Sequence, residues 1–111
     1  MKQRIFLFLA VCMLMAVPCM AQLHLNAVTI SGPTEIMEGR SAYYHVYAHW
    51  CDGSVEDVTS SATFYLWSNY ATISGNKVTT GQVDQNEVNY LSADYGGVGA
   101  NALIFYIIDY H

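Results

Sequence analysis

The sequence predicts an all-β protein, a two-sheet sandwich of about seven short strands. Short runs rich in Val, Ile, Thr, Tyr and Phe are separated by clusters of Gly, Pro, Asn and Asp. Residues 41–50 alternate regularly between two faces, and no stretch keeps helical spacing over three turns. A closed barrel is the alternative, but the chain length and a long, two-sided last strand favour Greek-key pairing in a sandwich.

The N-terminal segment predicts export. Lys2 and Arg4 precede an almost unbroken apolar run at residues 5–17, and Cys19-Met20-Ala21 supplies small residues where a signal peptidase cleaves. An apolar run of roughly 13 residues spans about 20 Å as a helix, whereas a membrane anchor must cross about 30 Å. We therefore expect a signal peptide at residues 1–21, cleavage after Ala21, and a periplasmic or extracellular chain with no membrane span.

Residues 22–111 are long enough for one domain with one modest core. Arg40 and Lys77 are the basic residues left after Ala21, against all nine acidic residues. Such an acidic surface repels phosphate backbones, so nucleic acid is not an expected partner.

Cleavage after Ala21 would leave Cys51 as the one cysteine of the mature chain, without an internal disulfide partner. Two interpretations remain open for this residue. Cys51 is either a buried thiol that packs as a small apolar side chain, or it forms a disulfide between chains in an oxidising compartment.

The first half of the mature chain predicts three strands. The first covers residues 27–31 and ends at Gly32-Pro33, and the second, at residues 35–37, ends at the turn Glu38-Gly39. The third, at residues 41–50, reaches the strong turn signal Asp52-Gly53. Alternation places one set of this strand's side chains toward the core, namely Tyr44, Val46, Ala48 and Trp50. The other set points outward: Tyr43, His45, Tyr47 and His49.

The second half predicts strands at residues 63–67, 70–74, 77–80, 87–95 and 102–110. The turns Gly75-Asn76 and Gly96-Gly97 interrupt this series. The last strand is apolar on both faces, with Leu103, Phe105 and Ile107 on one and Ile104, Tyr106 and Ile108 on the other. It should therefore lie between neighbouring strands, or a partner should cover its outer face.

An ordered series of short motifs carries a family resemblance. The series is Gly32-Pro33, Glu38-Gly39, Asp52-Gly53-Ser54, Asp57-Val58-Thr59, Ala71-Thr72-Ile73-Ser74, Val78-Thr79-Thr80-Gly81 and Ala93-Asp94-Tyr95-Gly96-Gly97. In this order it resembles the group 2 bacterial immunoglobulin-like domain over nearly all of residues 22–111. The chain departs from the pattern at Phe64, which stands where a tryptophan is expected, with Trp67 displaced along the strand.

The resemblance implies an immunoglobulin-like sandwich of the kind found in bacterial surface and secreted proteins, as spacers in adhesins or beside carbohydrate-active enzymes. It implies no catalytic residue. The residues themselves agree, because Cys51 and His49 lack a third orienting group. We expect a non-catalytic protein without a cofactor.

No metal site is expected either. His45 and His49 would lie about 13 Å apart along a regular strand, too far to share one ion. Asp52, Glu56 and Asp57 lack the spacing of a calcium loop, and turn chemistry accounts for them.

Two functional hypotheses remain. In the first, the outward row Tyr43, His45, Tyr47 and His49, joined by Tyr65 and Trp67, binds a glycan or a cell-surface protein; plain cross-strand packing is the alternative explanation of that row. In the second, the chain is a structural subunit that forms a homo-oligomer or joins another exported protein. Its assembly edge would then be the last strand, through Ile104, Tyr106 and Ile108.

Overall fold

A computed structural model describes Cys19 and residues 22–110. Apart from Cys19, the predicted signal peptide and its cleavage site lie outside the described residues. The described chain is all β, as predicted, with one turn of 3-10 helix at Thr59–Ser61. Its strands are β1 (Leu25–Ser31), β2 (Glu35–Met37), β3 (Ser41–Tyr43), β4 (His45–Trp50), β5 (Val55–Asp57), β6 (Thr63–Trp67), β7 (Ala71–Ser74), β8 (Lys77–Thr80), β9 (Glu87–Tyr95), β10 (Val98–Gly99) and β11 (Leu103–Ile108). This part of the chain contains no helix of the length and apolar character that crossing a bilayer requires.

The strands pair into one larger sheet and two smaller ones. In the larger sheet, called the β9 sheet below, β9 pairs with β6, β10 and β11, and β11 pairs with β2 in parallel. The smaller sheets have the orders β1-β4-β5 and β3-β8-β7. Because Tyr44 alone separates β3 from β4, the two smaller sheets follow each other along one run of chain; together they are called the β4 side.

The run at residues 41–50 was predicted as one strand, and the structure interrupts it at Tyr44. Asn76 occupies the place of a ladder partner there: its carbonyl accepts the Tyr44 N–H at 2.9 Å, and its Nδ2 donates to the Tyr44 carbonyl at 2.8 Å. The backbone groups of Tyr44 are thus satisfied although no regular pairing continues through it.

The core lies between the β9 sheet and the β4 side. One cluster joins Tyr44 and Val78 to Leu91, Phe105 and Ile107, and a second consists of Val28, Val46, Ala48, Val58 and Ala93. The predicted inward positions Tyr44, Val46 and Ala48 are all 0% exposed, which confirms the alternation of that run. Trp50, at its end, is only partly buried.

Several predicted strands agree with the observed bounds, including those at residues 63–67, 77–80 and 87–95. The strands β5 and β10 were not expected. The β5 residues are exposed on both faces, so they carry no alternation that a sequence pattern can detect. The turn before β5 follows the expectation, because Gly53 has φ +89° and donates its N–H to the Trp50 carbonyl at 2.9 Å.

The chain passes from β1 to β2, and so from one side of the domain to the other, at Gly32-Pro33. A Cβ on Gly32 would overlap the ring of Tyr44, so the absence of a side chain permits this close approach. The Tyr44 hydroxyl donates to the Pro33 carbonyl at 2.7 Å. Burial raises the pKa of Tyr44 to about 12.

Candidate binding surface

The outer surface of the β9 sheet carries a continuous set of exposed apolar and aromatic side chains. Residues directly opposite each other in neighbouring strands share a face. Trp67 lies opposite Tyr90, and Tyr90 lies opposite Ile104. In the next outward row, Val88 lies opposite Tyr106. With their outward neighbours these residues form what we call the aromatic face: Met37, Tyr65, Trp67, Val88, Tyr90, Ile104 and Tyr106.

The aromatic face is large for a domain of this size. Exposure of its members ranges from 39% at Met37 to 58% at Trp67. Its four aromatic side chains alone, each about half exposed, offer roughly 400 Å² to solvent. The largest apolar patch on a typical monomer measures about 300–600 Å² and is often functional. This surface is therefore a candidate for binding.

Internal side-chain hydrogen bonds do not account for the aromatic face. The rings of Tyr65 and Trp67 lie 6.5 Å apart in a tilted arrangement. Within the described part of the chain, no side-chain hydrogen bond joins members of this face to each other. Its tyrosine hydroxyls and the Trp67 N–H remain available to a ligand or to water.

The predicted row Tyr43, His45, Tyr47 and His49 lies on the other side of the domain, on the outward face of β3 and β4. Tyr43 is 57% exposed, and the rings of His45 and Tyr47 lie 6.4 Å apart. The expectation that Tyr65 and Trp67 extend this row is wrong, because β6 pairs with β9 and belongs to the opposite sheet.

Both histidines of this row have side-chain partners. The His49 Nε2 lies 2.8 Å from the Thr29 Oγ1, and the His45 Nδ1 lies 3.8 Å from the Asp57 Oδ2. These contacts agree with cross-strand packing as the explanation of the row.

The prediction that the last strand provides an edge for assembly is wrong. β11 lies between β9 and β2, as the apolar character of both its faces indicated, so its ladder groups are largely occupied. Ile104 and Tyr106 instead point outward from the middle of the sheet, with 47% and 45% exposure, while Ile108 is only partly exposed. Any association through Ile104 and Tyr106 would be face to face.

The acidic loop residues serve local turns. The Asp57 Oδ1 accepts hydrogen bonds from the Thr59 hydroxyl and the Thr59 N–H, and these lower the pKa of Asp57. Hydrogen bonds from the Ser54 hydroxyl and N–H lower the pKa of Asp52 in the same way. Across Cys19 and residues 22–110, no three His, Cys, Asp or Glu side chains converge in a way that would hold a metal ion.

A broad cleft of about 830 Å³ opens beside His45 and Asp57, between the Thr59–Ser61 turn and β6–β7. The Thr59 hydroxyl on its wall also accepts the Val46 N–H at 2.9 Å. The Thr59 hydroxyl also donates to Asp57, so this polar group of the cleft connects β4 with β5.

Cys51 is disulfide-bonded to Cys19, with 5.6 Å between the Cα atoms. This pairing is that of the full-length chain, whereas the expectation of an unpaired Cys51 concerns the mature chain, from which Cys19 leaves with residues 1–21. The backbone around Cys51 is fixed to β1 by its N–H, which donates to the His24 carbonyl at 2.9 Å. Where the disulfide forms before cleavage after Ala21, Cys51 stays bonded to Cys19 of the cleaved segment. Where cleavage comes first, Cys51 is left as a free thiol.

No protein-family model matches the chain, and no curated protein matches it.

Sequence reasoning identified Trp67, Ile104 and Tyr106 as candidates but divided them between two hypotheses, and it missed Met37, Val88 and Tyr90. Residues 87–95 were predicted as a strand, and their outward side chains were not considered. The available signal was that two of these outward positions, Val88 and Tyr90, are also apolar. Only the pairing of β6 and β11 with β9 brings the three strands' outward residues onto one surface.

Proposed function

We propose that the chain is an exported, non-catalytic module with an immunoglobulin-like two-sheet fold, and that it binds glycans through its aromatic face. The observation that carries the proposal is the exposed set Tyr65, Trp67, Tyr90 and Tyr106 on one sheet. Aromatic rings pack against the C–H faces of sugar rings, while tyrosine hydroxyls and the indole N–H can hydrogen-bond at the periphery.

The strand pairing supports the immunoglobulin-like assignment. On the β4 side, β1 and β5 flank β4, and β8 lies between β3 and β7; in the opposite sheet β9 pairs with β6, β10 and β11, with β2 added beside β11. This corresponds to the ABED and CFG sheets of the constant-type immunoglobulin sandwich with a first strand divided between the sheets. Phe64, at the position where the family has a tryptophan, packs against both core clusters.

The leader and the disulfide support export. The residues before Gln22 have the charge, apolar length and small residues of a signal peptide. The disulfide that Cys51 forms with Cys19 in the full-length chain is of a kind found in oxidising compartments, although cleavage after Ala21 would remove Cys19 from the mature protein. Intact-mass measurement of the purified exported protein, with and without reductant, reads both the N-terminus and the state of Cys51.

The test of glycan binding uses Trp67→Ala with Tyr43→Ala as its matched control. Trp67 and Tyr43 are almost equally exposed aromatics, at 58% and 57%, but they lie on opposite sides of the domain. On an array of neutral and acidic oligosaccharides, we expect the native protein and Tyr43→Ala to bind alike and Trp67→Ala to lose about tenfold in affinity or more. Equal binding by Trp67→Ala would contradict the proposed surface, and no binding by the native protein would contradict glycan recognition.

Self-association is a second candidate, favoured by the aliphatic members Met37, Val88 and Ile104 of the same face. Light scattering of the exported protein, with and without reductant, separates the two. A monomer under both conditions supports glycan binding. A dimer that persists in reductant and dissociates on Ile104→Asp substitution supports face-to-face assembly, while a dimer lost on reduction identifies a disulfide through Cys51.

A further inference from the structure

The strand β6 forms one edge of the β9 sheet, and its outer side has no neighbouring strand. In the described part of the chain, β6 pairs with β9 alone. Clefts of about 830 and 490 Å³ open beside its two ends, the first along Thr63 and Phe64 and the second along Leu66 and Trp67. The space beside this edge is therefore open at both ends of the strand.

The hydrogen bonds of β9 determine which backbone groups of β6 are already paired. The Ala93 carbonyl accepts the Ala100 N–H at 2.8 Å, so the backbone groups of Ala93 face the side of β9 on which β10 and β11 lie. Backbone groups of successive strand residues point to opposite sides, so those of Ser92 face β6. Ser92 lies opposite Tyr65, and the backbone N–H and C=O groups of Tyr65 are therefore directed to β9.

The backbone groups of Phe64 and Leu66 are unpaired by the same alternation. These two residues flank Tyr65, so their N–H and C=O groups point away from β9 and toward the open edge. Among the described residues, no other strand or loop forms a backbone hydrogen bond with them. A row of unpaired N–H and C=O groups is a template for pairing with another strand.

The strand β6 also lacks the features by which proteins protect their sheet edges, such as charges, proline, bulges or very short length. The strands β2, β3, β5 and β10 are only two or three residues long. Of the longer strands at sheet ends, β1 contains a bulge, and the exposed side chains of β7 are the polar Thr72 and Ser74. In contrast, β6 has five residues, Thr63–Trp67, with no charge, proline, glycine or bulge.

The sequence of β6 is complementary to itself in an antiparallel pair centred on Tyr65. In that register Phe64 of one copy lies opposite Leu66 of the other, and their outward N–H and C=O groups satisfy each other. Both side chains are apolar and only partly buried in one copy, so the pair also adds apolar contact. Tyr65 meets its own counterpart in a non-hydrogen-bonded pair, where side chains come closest. No acidic residue lies on β6, although the chain has a net charge of −5.

We propose that two copies of the chain pair edge to edge through β6, antiparallel about Tyr65, so that their β9 sheets form one continuous sheet. The two-fold axis of this pair is perpendicular to the sheet, so both aromatic faces lie on the same side. The contact is small, of the class below about 1,200 Å² that forms weak complexes, and we expect a dissociation constant on the order of 0.1 mM. The pairing does not depend on glycan binding, and it differs from face-to-face assembly through Ile104.

Sedimentation equilibrium of the exported protein in reductant, at concentrations up to about 1 mM, measures the dimer. The variants Tyr65→Lys and Tyr65→Glu are compared with the control Tyr90→Lys. Tyr65 and Tyr90 are both 44% exposed on the aromatic face, but Tyr90 lies on β9, away from the edge. Each Tyr65 variant alone should raise the dissociation constant by about tenfold or more, because like charges meet at the two-fold axis. An equimolar mixture of the two should restore the dimer, and Tyr90→Lys should dimerise like the native protein.

Amide hydrogen exchange of the native protein locates the contact without any variant. In dilute solution the Phe64 and Leu66 N–H groups should exchange about tenfold faster than that of Tyr65, and this difference should disappear in concentrated solution. If a Tyr65 variant does not fold, this exchange pattern decides.

A chain that stays monomeric at every concentration overturns the proposal. So does a dimer that Tyr90→Lys dissociates and Tyr65→Lys does not, since that result identifies face-to-face assembly. Failure of the mixed Tyr65 variants to dimerise overturns the two-fold register. Loss of glycan binding in the separate binding assay contradicts the proposed function and leaves the β6 dimer standing.

Discussion

The two outer surfaces of the domain are built from similar residue types and used differently. On the β4 side, several outward polar side chains pair across strands, among them Thr29 with His49 at 2.8 Å and Ser41 with Thr79 at 3.2 Å. On the opposite sheet, the aromatic face has no such pairing among the described residues. Polar groups of the first surface are thus partly satisfied within the domain, whereas the second leaves its aromatic rings and hydroxyls available.

This difference explains why composition alone misplaces the site. Tyr43 and Trp67 are equally exposed aromatics, yet the surroundings of Tyr43 are hydrogen-bonded strand pairs and those of Trp67 are other exposed apolar residues. Scattered exposed aromatics are ordinary, but a contiguous apolar surface requires an explanation. Exposure of an aromatic side chain therefore identifies a candidate binding residue. Whether its exposed neighbours form a contiguous apolar surface decides between the candidates.

The largest loss of unfolding free energy is expected at Gly32, where the chain crosses between the two sides of the domain. Gly32→Ala places a methyl group inside the Tyr44 ring, and we expect a loss of about 3 kcal/mol in unfolding free energy. Urea denaturation provides the measurement. Gly81→Ala is the matched control, because the nearest atom to its new Cβ is the Tyr70 carbonyl oxygen at 3.4 Å, an ordinary contact. Similar losses in both variants would show that backbone freedom, and not ring contact, sets the cost.

A smaller effect is expected on the β4 side. Thr59→Val removes the acceptor of the buried Val46 N–H, which should cost about 2 kcal/mol, and it also removes the hydroxyl that donates to Asp57. The folded-state pKa of Asp57 is depressed, so its stabilisation is present above the unfolded pKa of about 3.9 and is lost as pH falls through the folded value. Native stability should therefore decline in acid more steeply than that of Thr59→Val. Parallel pH curves would contradict this role of the Thr59–Asp57 pair.

A still smaller loss of unfolding free energy is expected at the contact between the two sides of the domain. Tyr44 packs against Phe105 of the β9 sheet at 6.0 Å between ring centroids, and its hydroxyl donates to Pro33. Tyr44→Phe keeps the ring and loses that hydrogen bond, at about 1 kcal/mol. Because burial raises the folded pKa of Tyr44 to about 12, the contribution of Tyr44 to stability should be constant below the unfolded pKa of about 10 and be lost as pH rises toward 12. Tyr44→Phe should lack that alkaline loss, and an identical alkaline curve would exclude Tyr44 as its source.

The sequence predicted the all-β class and the inward side chains with good accuracy, because alternation reports burial directly. Tyr44, Val46 and Ala48 were assigned to the core from their spacing, and all three are fully buried. It could not predict which strands pair. That is why Trp67 was joined to the wrong row, although its exposure was anticipated. For the same reason Ile104 and Tyr106 were predicted to lie on an edge strand. The sequence does not show that β2 pairs in parallel with β11 and so covers that edge of β11.

Asn89 shows a different limit of sequence reasoning. Its place in an alternating run predicts burial, but a buried asparagine is usually satisfied by its neighbours. Its Oδ1 nevertheless has no hydrogen-bond partner among the described residues. Local composition does not determine whether a buried polar atom finds a partner.

The smallest effect on stability is expected on the aromatic face itself. Ile104 is 47% exposed and loses little burial on substitution, so Ile104→Thr, which keeps a β-branched side chain, should change unfolding free energy by less than about 0.5 kcal/mol. The matched substitution on the inner surface, Val46→Thr, buries a hydroxyl at a fully enclosed position and should cost about 2 kcal/mol. Urea denaturation at several protein concentrations measures both. A large, concentration-dependent loss for Ile104→Thr would mean that a second copy already covers the face, because mass action couples dimerisation to stability. A loss near zero at every concentration means that the exposed Ile104 side chain contributes little to folding, as the proposed binding role of the aromatic face requires.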